Sequence, residues 1–436
     1  MSTPENPVLH TRREFLRHSL LGGALSLTVP SFLLHTMNRL HGEAVDSAVQ
    51  TVTGRDGPIL VVLQLAGGND GLNTVVPFAN DLYYKARPRL AVAAESVLKV
   101  NDRAGFHPAL AALKGWYDEG RMTVVEGTGY PNPNRSHFRS TEIWHTASDA
   151  DRVERHGWIG RYFDNACAGE DALVGVALGK QMPQAFTAKT PKGVTFENPA
   201  RYQFPKEAAL SEQAMMLHGG EEGEASGASI ADLGGAAPVS GVEALDFLER
   251  THLDAEVSSR QILELSKKGK NEAVYPNSAL AQKLSTIARF ISGGLKTRIY
   301  YLSQGGYDTH QNQLGSHERL LREFSEAMAA FLADLKAQGN DRRVTVLTFS
   351  EFGRRVKENG SQGTDHGAAA PLFLFGGPWK GGMHGQLPTL AEDDLVQGDI
   401  RYHVDFRSVY ATVLQKHLGT AAAPVLGRDF PVLDLA

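Results

Sequence analysis

Apolar residues follow two rhythms along the chain. Pro58 to Leu65, Met122 to Glu126, Ile299 to Leu302, Val344 to Phe349 and Pro371 to Phe375 are short runs rich in β-branched, aromatic and leucine side chains. Near-continuous apolar runs of this length predict strands of a sheet covered on both faces. Between them, His107 to Tyr117, Leu280 to Ile291, Glu318 to Ala337 and Phe406 to His417 space their apolar residues at three and four, which predicts helices. The clearest stripe is Leu320, Leu321, Phe324, Met328, Phe331, Leu332 and Leu335, a helix of about five turns. Strands alternating with helices predict an α/β fold with a mostly parallel sheet.

Four of the strand runs lead at once into glycine- or asparagine-rich turns. These are Ala66-Gly67-Gly68-Asn69-Asp70-Gly71, Gly127-Thr128-Gly129, Gly305-Gly306-Tyr307-Asp308 and Ser350-Glu351-Phe352-Gly353. Ligands of such sheets sit beyond the carboxyl ends of the strands. Asp70, Asp308 and Glu351 are therefore expected to converge on one edge.

Composition narrows the class. The chain has 436 residues, a net charge of −5, 42% hydrophobic and 21% charged residues, as in an ordinary globular protein. Its single cysteine, Cys167, excludes a disulfide-stapled fold and a thiolate metal cluster. Cys167 sits in Asp164-Asn165-Ala166-Cys167-Ala168-Gly169, a setting for helix packing more than for thiol chemistry. The mild acidity argues against a basic nucleic-acid-binding face, and no nucleic-acid partner is expected.

The N-terminus reads as an address. Thr11-Arg12-Arg13-Glu14-Phe15-Leu16-Arg17 precedes a modest apolar stretch, Leu20 to Leu34, and resembles a twin-arginine export signal over residues 1–44. Fifteen helical residues cover only about 22 Å, short of the ~30 Å bilayer core, so no stable membrane anchor is expected in the mature form. The alternative is an amphipathic N-terminal helix with two chance arginines. Export through the twin-arginine machinery would place the protein in the periplasm or outside the cell. Residues 45–436 are expected to form a single α/β domain. Within it, residues of about 210–241 include Gly219 to Gly227 and Gly234 to Ala237, which carry almost no large apolar side chain, and read as a flexible insertion.

Four clusters carry candidate chemistry, and each has a bland alternative. Asn69-Asp70-Gly71 presents a carboxylate after a buried strand, but it is also common turn chemistry. Asn134-Arg135-Ser136-His137-Phe138-Arg139 opens a predicted helix running to Thr146. Ser136 at its N-terminus, with Arg135 and Arg139, would suit an oxyanion, or Ser136 simply caps the helix. Asp308 and His310, two apart in extended backbone, would point to the same side and grip one ion, zinc, manganese or iron before calcium. Asp365-His366, flanked by Gly363 and Gly367, brings two ligands toward one centre unless His366 is merely structural. No phosphate-binding Gly-x-x-x-x-Gly-Lys-Ser/Thr, no dinucleotide Gly-x-Gly-x-x-Gly after a strand and no Gly-x-Ser-x-Gly elbow is present.

Taken together, the twin-arginine leader, Leu65 to Thr74, Gly305 to His310, Thr348 to Arg355, Gly363 to Gly367 and Asp405 to Tyr410 resemble the DUF1501 family of exported bacterial proteins. That family, a domain of unknown function, is grouped with the alkaline phosphatase superfamily of phosphatases, sulfatases and phosphodiesterases. The resemblance implies a doubly wound core with helices on both faces and a metal site at the carboxyl edge of the sheet. It implies Asp70, Asp308, His310, Asp365 and His366 as metal ligands, with His384 or His403 as a more distant one. The superfamily pattern Asp-x-x-x-His is not matched, since Asp308 and His310 are two apart. The implied cofactor is a divalent metal, zinc foremost, with manganese or calcium as alternatives.

The function implied is an exported metal-dependent hydrolase of a small anionic phosphate or sulfate ester. Ser136 or a metal-held water would be the nucleophile, and Arg135 or Arg139 would orient the oxyanion. Glu351 is expected either to fix a metal ligand or to pair with Arg354, the ion pair being favoured. The rival readings are a non-catalytic binding or assembly protein that keeps the fold, and a carbohydrate- or envelope-binding protein without metal.

Overall fold

The computed structural model describes residues 57–202 and 257–436. The expected leader at 1–44 and the expected insertion at about 210–241 lie outside the described residues.

Among the described residues, nine strands form the main sheet. They are β1 (Ile59–Leu65), β2 (Met122–Gly129), β3 (Gly175–Leu178), β4 (Val194–Phe196), β5 (Ile299–Gln304), β6 (Val344–Phe349), β7 (Ala370–Gly376), β8 (Gly382–His384) and β9 (Val404–Asp405). Their spatial order is β8-β2-β7-β6-β1-β5-β3-β4, with β9 also pairing with β2. All neighbours run parallel except β7, which is antiparallel to both β6 and β2. The sheet is thus mostly parallel, as the apolar runs predict. The reversal of β7 puts its leading loop, which carries Asp365 and His366, at the carboxyl edge of its neighbours.

Side chains of β1 alternate between two cores because successive residues of a strand face opposite sides. Ile59, Val61, Leu63 and Leu65 join one cluster with helices α1 (Ala111–Asp118), α4 (Ala279–Gly293) and α5 (Gln313–Ala337). Leu60 and Val62 join the other, packed by α2 (His137–Thr146), α3 (Trp158–Ala166) and α6 (Phe406–Thr412). A sheet with both faces covered cannot alternate apolar with polar, which explains the continuous runs. The run Phe406 to His417 forms α6 followed by a π turn, Val413–His417, instead of one α-helix. His417 donates from Nε2 to the carbonyl of Ile59 at 2.9 Å, tying that turn to the start of β1. Cys167 is buried at the end of α3, where burial pushes its thiol up to about 11 and keeps it neutral.

Buried titratable groups give the fold a pH signature. Burial lowers the pKa of His107, His145, His317 and His417, to about 4 for His145 and His317. Below about pH 6.5 the unfolded chain binds protons that the folded chain refuses, so stability falls as pH drops from there toward 4. Glu126, buried in β2 with no partner for Oε1 among the described residues, acts in the opposite sense. Burial raises its carboxyl to about 8, so the folded state keeps a proton that the unfolded chain releases above about pH 4.5, and this contribution is lost as pH rises through 8. Four histidines set against Glu126 and Asp399, whose carboxyl burial also raises, predict maximum urea resistance near pH 6.5, with a steeper fall toward pH 5 than toward pH 8. A denaturation midpoint that keeps rising to pH 8 would contradict this.

Candidate metal centre

The turn after β1 and the turn after β5 are pressed together. Gly67 has φ of +119° and lies so close to the backbone of Tyr307 and Asp308 that a Cβ would clash with the Asp308 nitrogen. Only glycine combines that conformation with that approach. Arg354, buried after β6, then ties the loops together. It donates from Nε to the Gly68 carbonyl at 2.7 Å, from Nη1 to the Thr364 carbonyl at 2.7 Å, and from Nη2 to the carbonyls of Gly67 and Tyr307. Its Nη2 also reaches Asp308 Oδ1 at 2.7 Å.

The expected Glu351–Arg354 ion pair is therefore corrected, since every Arg354 nitrogen is directed to other acceptors. Glu351 instead accepts from the Gly67 N–H at 2.8 Å and from His137 Nδ1 at 2.9 Å, both through Oε1. It fixes a histidine, the reading that the sequence disfavoured.

Around Asp308 the remaining ligand atoms converge. His137 Nε2, a carboxylate oxygen of Asp308 and a ring nitrogen of His366 lie within 4.8 Å of one another, a group able to hold a metal ion. His137 Nε2 is 3.5 Å from Asp308 Oδ2, and His366 Nε2 is 3.0 Å from Asp308 Oδ1. His310 Nε2 is 3.1 Å from Asp308 Oδ1 and 2.9 Å from His366 Nε2. Burial opposes ionisation of Asp308, but the hydrogen-bonded guanidinium of Arg354 beside it helps outweigh that and the carboxyl is held at about 2.

The outer ring nitrogens decide what the inner ones offer. His366 Nδ1 is 2.8 Å from the carbonyl of Arg135, which can only accept, so Nδ1 carries the proton. His137 Nδ1 faces the Glu351 carboxylate and His310 Nδ1 faces Asp365 Oδ1 at 3.1 Å, so the same holds for them. In the neutral rings every Nε2 then presents a lone pair toward a carboxylate that also only accepts. Acceptors packed this closely repel unless a proton or a cation lies between them. Ligands at 2.0–2.1 Å in a tetrahedral zinc site stand roughly 3.3 Å apart, so separations of 2.9 to 3.5 Å fit an ion. A carboxylate or carbonyl behind each imidazole is the usual outer support of metal-binding histidines.

The other expected residues are placed as follows. Asp365 orients His310 and accepts from Asn359 Nδ2 at 3.2 Å, so it backs a histidine. Asp70 is buried, with Oδ2 bonded to Arg87 Nη1 at 2.7 Å and to Gln313 Nε2, and it is not in the converging group. Burial opposes its ionisation, yet Arg87, His317 and Gln313 hold its pKa below the usual value. Ser136 is the N-cap of α2, next to His137, and its side chain makes no capping hydrogen bond.

Arg135 is engaged by Asp399 Oδ2, at 2.9 Å from Nε. Arg139 donates to the carbonyls of Asp149, Ala150 and Arg152 and faces Glu142. Both guanidinium groups are thus committed to other partners. His384 bonds the Lys380 carbonyl through Nε2, His403 packs against Gly127, and neither belongs to the group. The sequence reading overlooked His137. Its signal was its position, the first residue of a helix that follows β2 at the carboxyl edge.

Glu351→Gln keeps an acceptor for Gly67 but no longer holds His137 through a charged bond. Zinc affinity, read by competition with a chromogenic chelator, is expected to fall about 10- to 100-fold. An unchanged affinity would remove Glu351 from the support of the site.

Fold and site together define an α/β protein with a candidate His/Asp/His metal centre at the carboxyl edge of a mostly parallel sheet. The chain belongs to the DUF1501 family, whose model matches residues 58–434 and is described as a protein of unknown function. Among curated proteins no relative is found. Solved structures that it resembles include a protein in the alkaline phosphatase superfamily from Vibrio parahaemolyticus, at 10% identity, 87% of this chain, 70% of that chain and a TM-score of 0.36. A sulfatase from a Pseudoalteromonas species matches at 12% identity, 87% of this chain, 72% of that one and a TM-score of 0.35. The C-terminal periplasmic domain of Escherichia coli EptC, in complex with Zn, matches at 8% identity, 75% of each chain and a TM-score of 0.33.

Proposed function

We propose that the protein is an exported metal-dependent hydrolase of a small phosphate or sulfate ester, with zinc as the foremost ion. One observation carries this reading: His137, the Asp308 carboxylate and His366 form a group able to hold an ion, His310 Nε2 adjoins Asp308 and His366, and each ring has a partner on its Nδ1. A divalent ion held there would act as a Lewis acid on ester oxygens and raise the acidity of a neighbouring hydroxyl or water.

The chain's own residues would do the rest. The N-terminus of α2 lies next to His137, and Ser136 does not cap it with its side chain, so first-turn N–H groups stay open to an oxyanion. The Ser136 hydroxyl, exposed at that same turn, is the candidate nucleophile. Glu351, Asp365 and the Arg135 carbonyl hold the three rings in orientation. Arg354 keeps Asp308 ionised and fixed.

The test is turnover of aryl phosphate, aryl phosphodiester and aryl sulfate by the zinc-loaded protein, before and after chelation. Hydrolysis of one ester class, lost on chelation and restored by metal, is expected. Metal bound without turnover of any ester would favour a binding role instead. Unchanged turnover by Ser136→Ala would point to water as the nucleophile. The twin-arginine leader supports export to the periplasm or beyond, tested by fractionating cells that carry Arg12→Lys/Arg13→Lys.

A further inference from the structure

The neighbours β5 and β3 part at their carboxyl ends. Their register stops at Leu178 and Leu302, while Ser303 and Gln304 stay paired with β1. After β5 the chain passes to the face covered by α5, and after β3 it passes to the opposite face, where Ala185 and Phe186 are buried. Such a switch between adjacent strands opens a crevice in which ligands of α/β sheets bind. A cleft of about 340 Å³ lies there, lined by residues 177–181 and 301–303.

Small side chains leave the space open. Ala177 pairs with Tyr301, and both face the core that holds Leu60 and Val62. Alternation puts Gly179 and Ser303, each two residues further on, toward that same face. A Cβ on Gly179 would meet nothing nearer than 3.9 Å, so no side chain fills the room beside Ser303. The cleft has the volume of roughly eleven waters at about 30 Å³ each, near the number of non-hydrogen atoms in one monosaccharide.

Its polar groups are uncommitted. Lys180 and Gln181 are exposed, Ser303 is half-buried, and none of these three side chains has a partner among the described residues. Among the described residues no carboxylate lines the cleft. Tyr301, by contrast, is a fixed wall: its hydroxyl donates to Gln64 Oε1 at 2.6 Å and lies 2.8 Å from His145 Nε2.

The cleft adjoins the candidate metal centre. Gln64 of β1 pairs with Ser303 on one side and with Phe349, two residues before Glu351, on the other. Two strand spacings of about 4.8 Å therefore separate β5 from β6, roughly 10 Å in all. Phe138, beside His137, is 90% exposed and shares its face of α2 with His145, seven residues on, so this ring stands on the flank turned toward β5.

We infer that the cleft holds the organic half of the ester, a hydroxylated group the size of one monosaccharide, with Lys180, Gln181 and Ser303 as its hydrogen-bond partners and Phe138 at its rim. Placement of an ester across both sites rests on the hydrolase reading, whereas recognition of the ring does not. A charged donor such as Lys180 makes the stronger of these hydrogen bonds.

Two measurements separate the claims. Calorimetric titration of the metal-free full chain with glucose, galactose, N-acetylglucosamine and glucuronate tests the cleft alone. Saturable binding of at least one sugar is expected, weakened about tenfold by Lys180→Ala and by Ser303→Ala. Lys180 is exposed, so Lys180→Ala remains informative even if Ser303→Ala fails to fold. Kinetics of the zinc-loaded protein with monosaccharide 6-phosphates and 6-sulfates, set beside ethyl phosphate and ethyl sulfate, test its use in the reaction. Lys180→Ala is expected to raise KM for the sugar esters about tenfold more than for the ethyl esters. Sugar binding without turnover of any ester would sink the hydrolase reading and keep the cleft. No saturable binding, binding indifferent to both variants, or an equal change of KM for the two ester classes overturns the inference.

Discussion

Asp308→Asn is expected to empty the metal centre while leaving the fold intact. Asp308 is the one carboxylate that all three imidazoles and Arg354 share, through contacts of 2.7 to 3.5 Å. Zinc bound by about four protein ligands gains roughly 10–16 kcal/mol in small folded sites, so one ligand accounts for about 3 kcal/mol, more than a hundredfold in affinity. The Asp308 side chain is half exposed and four backbone carbonyls still accept from the buried Arg354, so loss of the pair should move the urea midpoint little. Metal content after dialysis and ester turnover are the measurements, and both are expected to collapse together. Stoichiometric metal retained by the variant would sink the ligand assignment.

Asp70→Asn should do the reverse. Its carboxylate is 1% exposed and pairs with Arg87, whose side chain is fully buried. Arg87 also donates to the carbonyls of Val356 and Arg355 and to Asn73 Oδ1, so it cannot turn out to solvent when its counter-ion is neutralised. Breaking one side of a buried pair typically costs about 3–5 kcal/mol. A large drop in urea resistance with metal content preserved in the folded fraction is the expected result. Lost metal with unchanged stability would restore Asp70 to the ligand set implied by the family resemblance. The two variants therefore separate the chemistry of the site from the support beneath it.

Much of the architecture was legible because burial on both faces leaves a strong local mark. The run beginning at Pro58 becomes β1, the run at Val344 becomes β6 with the same limits, and the stripe from Leu320 to Leu335 lies inside α5. The direction of β7 was not legible, since Pro371 to Phe375 reads the same whichever way its neighbours run. The sites of Asp308, His310 and His366 were legible as well, because each follows or precedes a strand at a glycine-rich turn.

The division of labour within that set needed the third dimension. Asp365 and His366 are adjacent in the chain, yet one supports His310 from behind and the other faces Asp308. Glu351 and Arg354 are three apart and of opposite charge, yet both are drawn to other loops, because the Gly67 N–H and four backbone carbonyls lie closer to them than they do to each other. His137 gave no spacing signal, for its partners are more than a hundred residues away. By itself the sequence determined an α/β chain, the edge of its sheet where polar turns gather, and the residue types available there. Which atoms meet, and which of them keep an open lone pair, was decided only by tertiary packing, because hydrogen-bond direction depends on partners brought together by the fold.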